Sequence, residues 1–434
     1  MDKDRYLVAF ETFEKKTGTL PPSWVSPLRK AAMVRFAELG FPTLKDEEWK
    51  YTSVEPIAKN SFRFPFEISG DGLTAEKIKP FLFLERGNRL VFVNGQFRKE
   101  RSSLSSSFSG VRIGSLQQAL TSHSDELEPS LAKQADFQSN AFTALNTAFL
   151  SDGVYLSIPK GKVLEEPIEL LFFSSSHGER IIAQPRNLIL LGEGAQATVI
   201  ENDVSLEGDD AFTNAVTEIF LAPAARLTHY QIQRQSEKAL HVSTTQVSLD
   251  RDSHFSSHVF SFGAQLSRNN LNVTLDAEGS RSELNGLYMV GNRQHVDHHT
   301  TIDHAKPHGT SQQVYKGVLS GHSRAVFSGK IFVRKNAQKT DAHQVNKNLL
   351  LSEGATVDTK PQLEIFADDV KCTHGAAVGQ LSEEEIFYVK SRGMGEEAAR
   401  NLLTYGFASE ILNTVKLEPV RSKLDQLIWD RLKK

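Results

Sequence analysis

The sequence contains one cysteine, Cys372, in 434 residues. A single thiol excludes an intrachain disulfide and a zinc site made of several cysteines of one chain. No run of about eighteen apolar residues occurs, so no spanning helix is expected. Neither sign of charge dominates. The formal net charge is −3, without the basic field of a dedicated nucleic-acid binder. The GxxxxGK[ST] phosphate loop, the HExxH helix motif and the GxSxG elbow are all missing. Gly192-Glu193-Gly194 reads as a β-turn, because no helical pattern follows it. These absences remove the common hydrolase, kinase and dehydrogenase readings. The first residues, MDKDRYLVAFETFEKK, carry Asp2, Asp4, Glu11 and Glu14. That fits neither a signal peptide nor an acid-poor transit peptide, and a cytoplasmic protein is expected.

What is present describes a globular chain: 39% hydrophobic and 24% charged residues, long enough for two or three domains. Met1 to about Glu85 reads as helical. Tyr6, Phe10 and Phe13 fall at helical spacing, as do Leu28, Met33, Phe36 and Ala37 within Ser26–Leu39. Pro21, Pro22, Gly40 and Pro42 punctuate the segment. Trp49 and Tyr51 read as packing anchors. Leu90–Phe97 predicts a hairpin about Asn94-Gly95. The serine-rich Ser102–Gly110 is the expected mobile link, and Phe137–Phe149 predicts one more helix. Residues 1–153 are therefore expected to form a mostly helical N-terminal domain.

From Val154 to Ala377 helical periodicity is weak. Leu271, Val273 and Leu275 alternate with Asn272, Thr274 and Asp276, which is strand alternation. A leucine, a short turn of small or polar residues and a new strand recur, with the leucines at 191, 221, 249, 275, 319 and 351. The loose period means stacked units. Long repeats without intervening helices predict a mainly β fold, a right-handed parallel β-helix over 154–377, with helical domains on either side. An antiparallel sandwich or barrel is the alternative; its strands turn every 8–12 residues or so.

Beyond Leu381 the pattern is helical again. Ser382 and Glu385 form a capping box. Glu396 to about Val415 carries Leu402, Leu403, Phe407, Ile411 and Leu412 in one broad stripe, and a third helix follows Pro419. The tail, 378–434, is expected either to cap the open end of the solenoid or to dock a partner. Phe387, Leu402, Leu403, Phe407 and Ile411 are the candidate partner-binding residues.

Two sets of residues carry chemistry. If Val370–His374 is extended, Cys372 and His374 share a face, and a thiolate beside an imidazole offers soft ligands or nucleophiles. The competing reading of a lone cysteine is a small buried hydrophobe. Twelve of the fourteen histidines lie between His229 and His374, most densely in Gln294–His308. In a strand His295, Asp297, His299 and Asp303 share one face, and His298 and His304 the other. That division does not define a metal site. It predicts a polar ladder of side chains bonding one another, with a His-rich metal-binding protein as the alternative.

The runs DDVKCTHGAAVG, IFYVKSRGM and EEAARNLLTYGFASEIL resemble the SufB/SufD family of iron–sulfur cluster assembly proteins. So do Tyr315–Ser352 and Lys360–Gly375, while GFPTLKDEEWKYT and the retained Cys-x-His are similar to the SufD side of the family. Thr373 and Ala377 depart from the more usual KCSHGATVG and remove neither donor. The resemblance implies N-terminal helices, a right-handed parallel β-helix and C-terminal helices. It implies a scaffold subunit, not an enzyme, paired with a SufB-like subunit through the β-helices. A SufC-like ATPase would dock on the C-terminal helices, and a SufE-type carrier would bring sulfur to the complex. A homodimer is expected where no SufB-like subunit is present, and neither nucleic acid nor membrane is an expected partner. No cofactor is expected on the isolated chain; a transient cluster would form at the interface with SufB, with Cys372 and His374 as metal-ligating, cluster-assembly residues. Independently, a cluster usually takes four ligands, mostly cysteine. One cysteine requires a site shared with another chain, or none. The alternative from another class is a secreted-type β-helix enzyme acting on polysaccharide, which would need paired carboxylates or a calcium site.

Overall fold

The computed structural model describes residues 3–17, 22–67, 72–105, 110–176 and 178–433. Its core is a parallel β-solenoid of about eight turns. Each turn gives one strand to each of two ten-stranded sheets. Leu240–Leu249, for example, pairs in parallel with Ala211–Leu221 before it and Leu266–Leu275 after it. Among the described residues, antiparallel pairing is limited to Asn88–Val93 with Gln96–Phe97, Arg112–Ser115 with Val154–Ile158, and a single bridge between Arg89 and Ser103. The parallel stack overturns the sandwich alternative.

Alternation decides which side chains enter the lumen. Ile219, Val247, Val273, Ile302 and Ile331 stack on the inner face of one sheet, and Leu227, Phe255 and Leu284 lie in the same buried cluster. Each such side chain contributes roughly 1.5–3 kcal/mol by leaving water. The irregular leucine spacing also acquires a cause. Leu191, Leu221, Leu249 and Leu275 end strands of one sheet, but Leu319 ends a strand of the other. The 44-residue step is therefore a turn and a half, since 15 residues separate the strand ends Leu275 and Val290 across the lumen.

The helices Asp4–Thr17, Val25–Leu39 and Ala141–Ala148 pack on the outer face of the first sheet against Phe212, Leu240, Val242 and Leu266. Between Gly40 and Gly87 the expected helical run is replaced by short turns, the longest being Glu55–Lys59. Pro42, Pro56, Pro65 and Pro80 lack the N–H that a continuous helix requires. The expected hairpin is present, with Phe92 opposite Phe97. Its first strand also extends the second sheet as the parallel neighbour of Ile168–Ser174. The expected serine-rich link has residues 106–109 outside the described residues, while Ser103 bridges to Arg89.

The helices Glu383–Ser391, Glu396–Leu412 and Glu418–Leu432 follow the solenoid. The latter two lie along the outer face of the second sheet, against Ile232, Phe260, Leu287, Met289 and Val318. They do not continue the lumen, so no strand pairs beyond Thr356–Ile365 in one sheet or Lys371–Gly379 in the other among the described residues. No described helix is long and apolar enough to cross a membrane.

Candidate functional site at the open turn

Every strand but the outermost has a neighbour on both edges. In the last turn one side of the pleat lies open. Cys372 stands in register with Ala342, and His374 with Gln344. Ala342 and Gln344 are buried lumen residues, so Cys372 and His374 extend the inner columns of the solenoid by one turn. Cys372 is half-buried, packed against the lumen cluster beside Leu363 and Val370, whereas His374 is exposed. Their Cα atoms are about 6.6 Å apart along the strand. Two side chains at that separation reach one iron or two adjacent atoms of a cluster. Thr373, between them, faces outward and bonds His343 Nδ1 at 2.7 Å, while His343 Nε2 lies 2.8 Å from Asp341.

Burial pushes the Cys372 thiol up, Asp341 pushes it further, and a backbone hydrogen bond with Ala342 partly offsets both. The isolated chain thus holds a thiol rather than a preformed thiolate, and metal binding would have to displace its proton. Among the described residues no group of three or more His, Cys, Asp or Glu side chains converges on a metal position. Three large apolar side chains are exposed beside the open turn. Ile365, Phe366 and Val378 are 39%, 58% and 49% exposed.

The histidine-rich run divides between the faces as expected and is bound into a network. His295 Nε2 lies 2.9 Å from Thr52 Oγ1, which also donates to Asp297 Oδ2 at 2.5 Å. Arg268 bonds Asp297 at 2.7 Å, donates to the Glu48 carbonyl and lies 4.2 Å over the Trp49 ring. His299 bridges Glu48 and Asp297 at 3.2 and 3.1 Å. This network clamps the segment around Glu48–Thr52 to the solenoid. Trp49 was legible as an anchor. The parts of Arg268 and Thr52 were not, because nothing local marks Thr52 with Asp297, 245 residues apart, or Arg268 with Glu48, 220 apart.

The tail stripe is also divided. Phe387 and Leu402 are 73% and 40% exposed. Leu403 and Phe407 are half-buried, and Phe407 covers Lys316 with its ring at 4.2 Å. Ile411, expected at a partner surface, is 1% exposed and packs on the second sheet. It is part of the chain's own core.

Comparison with known proteins identifies the family. Residues 172–407 match the family described as SUF system FeS cluster assembly, SufBD core domain, and residues 2–170 match the SufBD protein N-terminal region. The chain is 35% identical over 433 residues to an iron-sulfur cluster assembly SufBD family protein of Synechocystis, covering 98% of this chain and 95% of that protein. It is 32% identical to the iron-sulfur cluster assembly protein SufD of Escherichia coli, covering 94% and 93%. SufD of Bacillus subtilis is 26% identical, with 95% of each chain covered. A solenoid ending in an open turn that carries Cys372 and His374 thus belongs to the SufB/SufD family, whose role lies in iron–sulfur cluster assembly.

Proposed function

We propose that this chain is a non-catalytic scaffold subunit of the SufD kind, which completes a cluster-assembly site only when a SufB-like subunit covers its open turn. The observation that carries the reading is the position of Cys372 and His374 on the inner face of an uncapped last turn. Two donors do not satisfy an iron–sulfur cluster, which usually takes four. A second chain meeting the edge strands Thr356–Ile365 and Lys371–Gly379 would supply the rest, and unpaired strand edges favour such an addition. The cluster is cargo, formed at the joint and passed on. Cys372 would give a soft sulfur ligand. His374 would give a nitrogen ligand, or accept the proton that Cys372 loses. Exposed Phe387 and Leu402 on the tail suit a SufC-type ATPase, and sulfur would arrive through a SufE-type carrier.

The test is co-expression with the SufB- and SufC-type subunits of the same host, comparing wild type with Cys372→Ser and His374→Ala. An intact complex that has lost its cluster is the expected result. Full cluster formation by both variants would return Cys372 to the role of a packing residue.

A further inference from the structure

We infer that Gln344 is a positioning residue for His374: a buried amide oxygen one turn behind the histidine, waiting for its ring N–H. This rests on the reading of His374 as a cluster-site residue.

Four observations define the Gln344 amide. It is 1% exposed, in Cα register with His374 on the inner face. Its Nε2 donates to Gln313 Oε1 at 2.8 Å, and Gln313 Nε2 donates to Thr300 Oγ1 at 2.6 Å. Space for it is provided by Gly329, where a Cβ would fall 2.1 Å from Gln344 Nε2. The row therefore points the amide nitrogen inward. Gln344 Oε1 accepts no hydrogen bond among the described residues.

A buried acceptor without a partner is destabilising, and natural proteins rarely leave one without a reason. The next position in its column is His374. In the single chain that ring is exposed and open to solvent. Once a partner covers the turn, the ring loses water, and its N–H needs an acceptor. Gln344 Oε1 is the acceptor adjoining it in the column. The bond would fix the tautomer and turn the other nitrogen, with its lone pair, toward the joint between subunits. A ligating histidine commonly has its second N–H held this way, and removal of the holding group typically costs 10–100-fold in metal affinity.

The test uses the complete complex with Gln344→Met, Gln344→Glu and His374→Ala. Met keeps the volume of Gln344 but offers no oxygen. Glu keeps the oxygen, and the row then reverses, with the Thr300 hydroxyl donating to Gln313 and Gln313 to the carboxylate. Recovery of the complex, cluster content and the ring-nitrogen hyperfine coupling of the reduced cluster with ¹⁵N-histidine are measured. Gln344→Met is expected to preserve the complex, lower cluster content about tenfold or more, and lose the wild-type nitrogen coupling. Gln344→Glu is expected to restore both. Should Gln344→Met fail to fold, Gln344→Asn replaces it: the amide stays but is withdrawn by one methylene, and the same loss is expected. Wild-type cluster and coupling in Gln344→Met, with loss in His374→Ala, would overturn this inference alone. Equal loss in Gln344→Met and Gln344→Glu would reduce Gln344 to packing. No loss in His374→Ala would overturn both this inference and the reading of the site.

Discussion

Cys372 and Ala342 are neighbours in one parallel ladder and differ by a single turn of the solenoid. Ala342 is fully buried, because the turn bearing Cys372 covers it. Cys372 is only half-buried, because no turn follows. The same inward direction gives a core residue in one turn and a reachable thiol in the next.

Substitution of Cys372 should therefore be mild for folding. Cys372→Ser removes little buried surface at an end that is already open. Denaturant unfolding of the isolated chain should show a loss within about 1 kcal/mol. A loss of several kcal/mol would mean that the thiol is a core element.

The clamp over Asp297 should behave in the opposite way. Burial alone would raise the Asp297 carboxyl, but the Arg268 guanidinium and His299 hold it well below the usual carboxylate range. Its folded value is depressed, so its stabilisation is complete above about pH 4, the unfolded value, and is lost as pH falls below that. At neutral pH Asp297→Ala leaves Arg268 buried without its partner and should cost about 3–5 kcal/mol. Replacing both residues with apolar ones should cost less. Limited proteolysis should then cut near Trp49, released from the solenoid. A protease-resistant Asp297→Ala of wild-type stability would show that the clamp holds nothing.

The way a residue meets its neighbours explains what could be read from sequence. The alternation at Leu271, Val273 and Leu275 depends on local geometry, and it predicted the strands. The same-face relation of Cys372 and His374 followed from the period of two. Gln344 beside His374 did not, because register across a ladder depends on the length of an intervening turn that no local pattern reports. The stripe through Ile411 showed that a helix face is buried, but not against what. Leu90–Phe97 read as a hairpin, but the parallel partner of its first strand, Ile168–Ser174, lies some 80 residues away from Asn88–Val93 and has no local signal.

Buried histidines should make the fold acid-labile well above the carboxylate range. His241, His258, His298 and His304 are each pushed down to about 4, mainly by burial. Between pH 6.5 and 4 the unfolded chain takes up protons at these positions and the folded chain does not. Stability is then full above pH 6.5 and falls toward pH 4, by up to about 1.4 kcal/mol per pH unit for each group. Asp152 and Asp203, pushed up by burial, offset part of this. The difference between two chains isolates one histidine. His298 lies between the rings of Tyr288 and Tyr315 at 5.2 and 5.4 Å, a place that accepts phenylalanine. His298→Phe should flatten the fall in stability between pH 6.5 and 4.5 by about one histidine's share. Parallel curves for the two chains would refute the assignment.

The tail carries solvent-facing apolar side chains, Phe387 and Leu402, on two helices, and Ile411 of the second helix is buried. Truncation after Leu381 is a poor test, because it would uncover Phe260, Leu287 and Met289 beneath the helices. Point variants are cleaner. Phe387 and Leu402 face solvent, so Phe387→Glu and Leu402→Glu should change stability by no more than about 0.5 kcal/mol. If the ATPase docks on this surface, its co-purification should fall sharply in the double variant. Ile411→Glu puts a carboxylate among buried apolar side chains and should cost about 3 kcal/mol or more. Its effect on docking would then be indirect. Lys316 holds the same helix in place, bonding the Phe407 carbonyl at 3.0 Å and Glu410 at 2.5 Å. Lys316→Met should loosen the helix without altering its exposed face, weakening docking far less than Phe387→Glu with Leu402→Glu does. Undiminished ATPase binding by a stable Phe387→Glu, Leu402→Glu chain would place the docking surface elsewhere on the molecule.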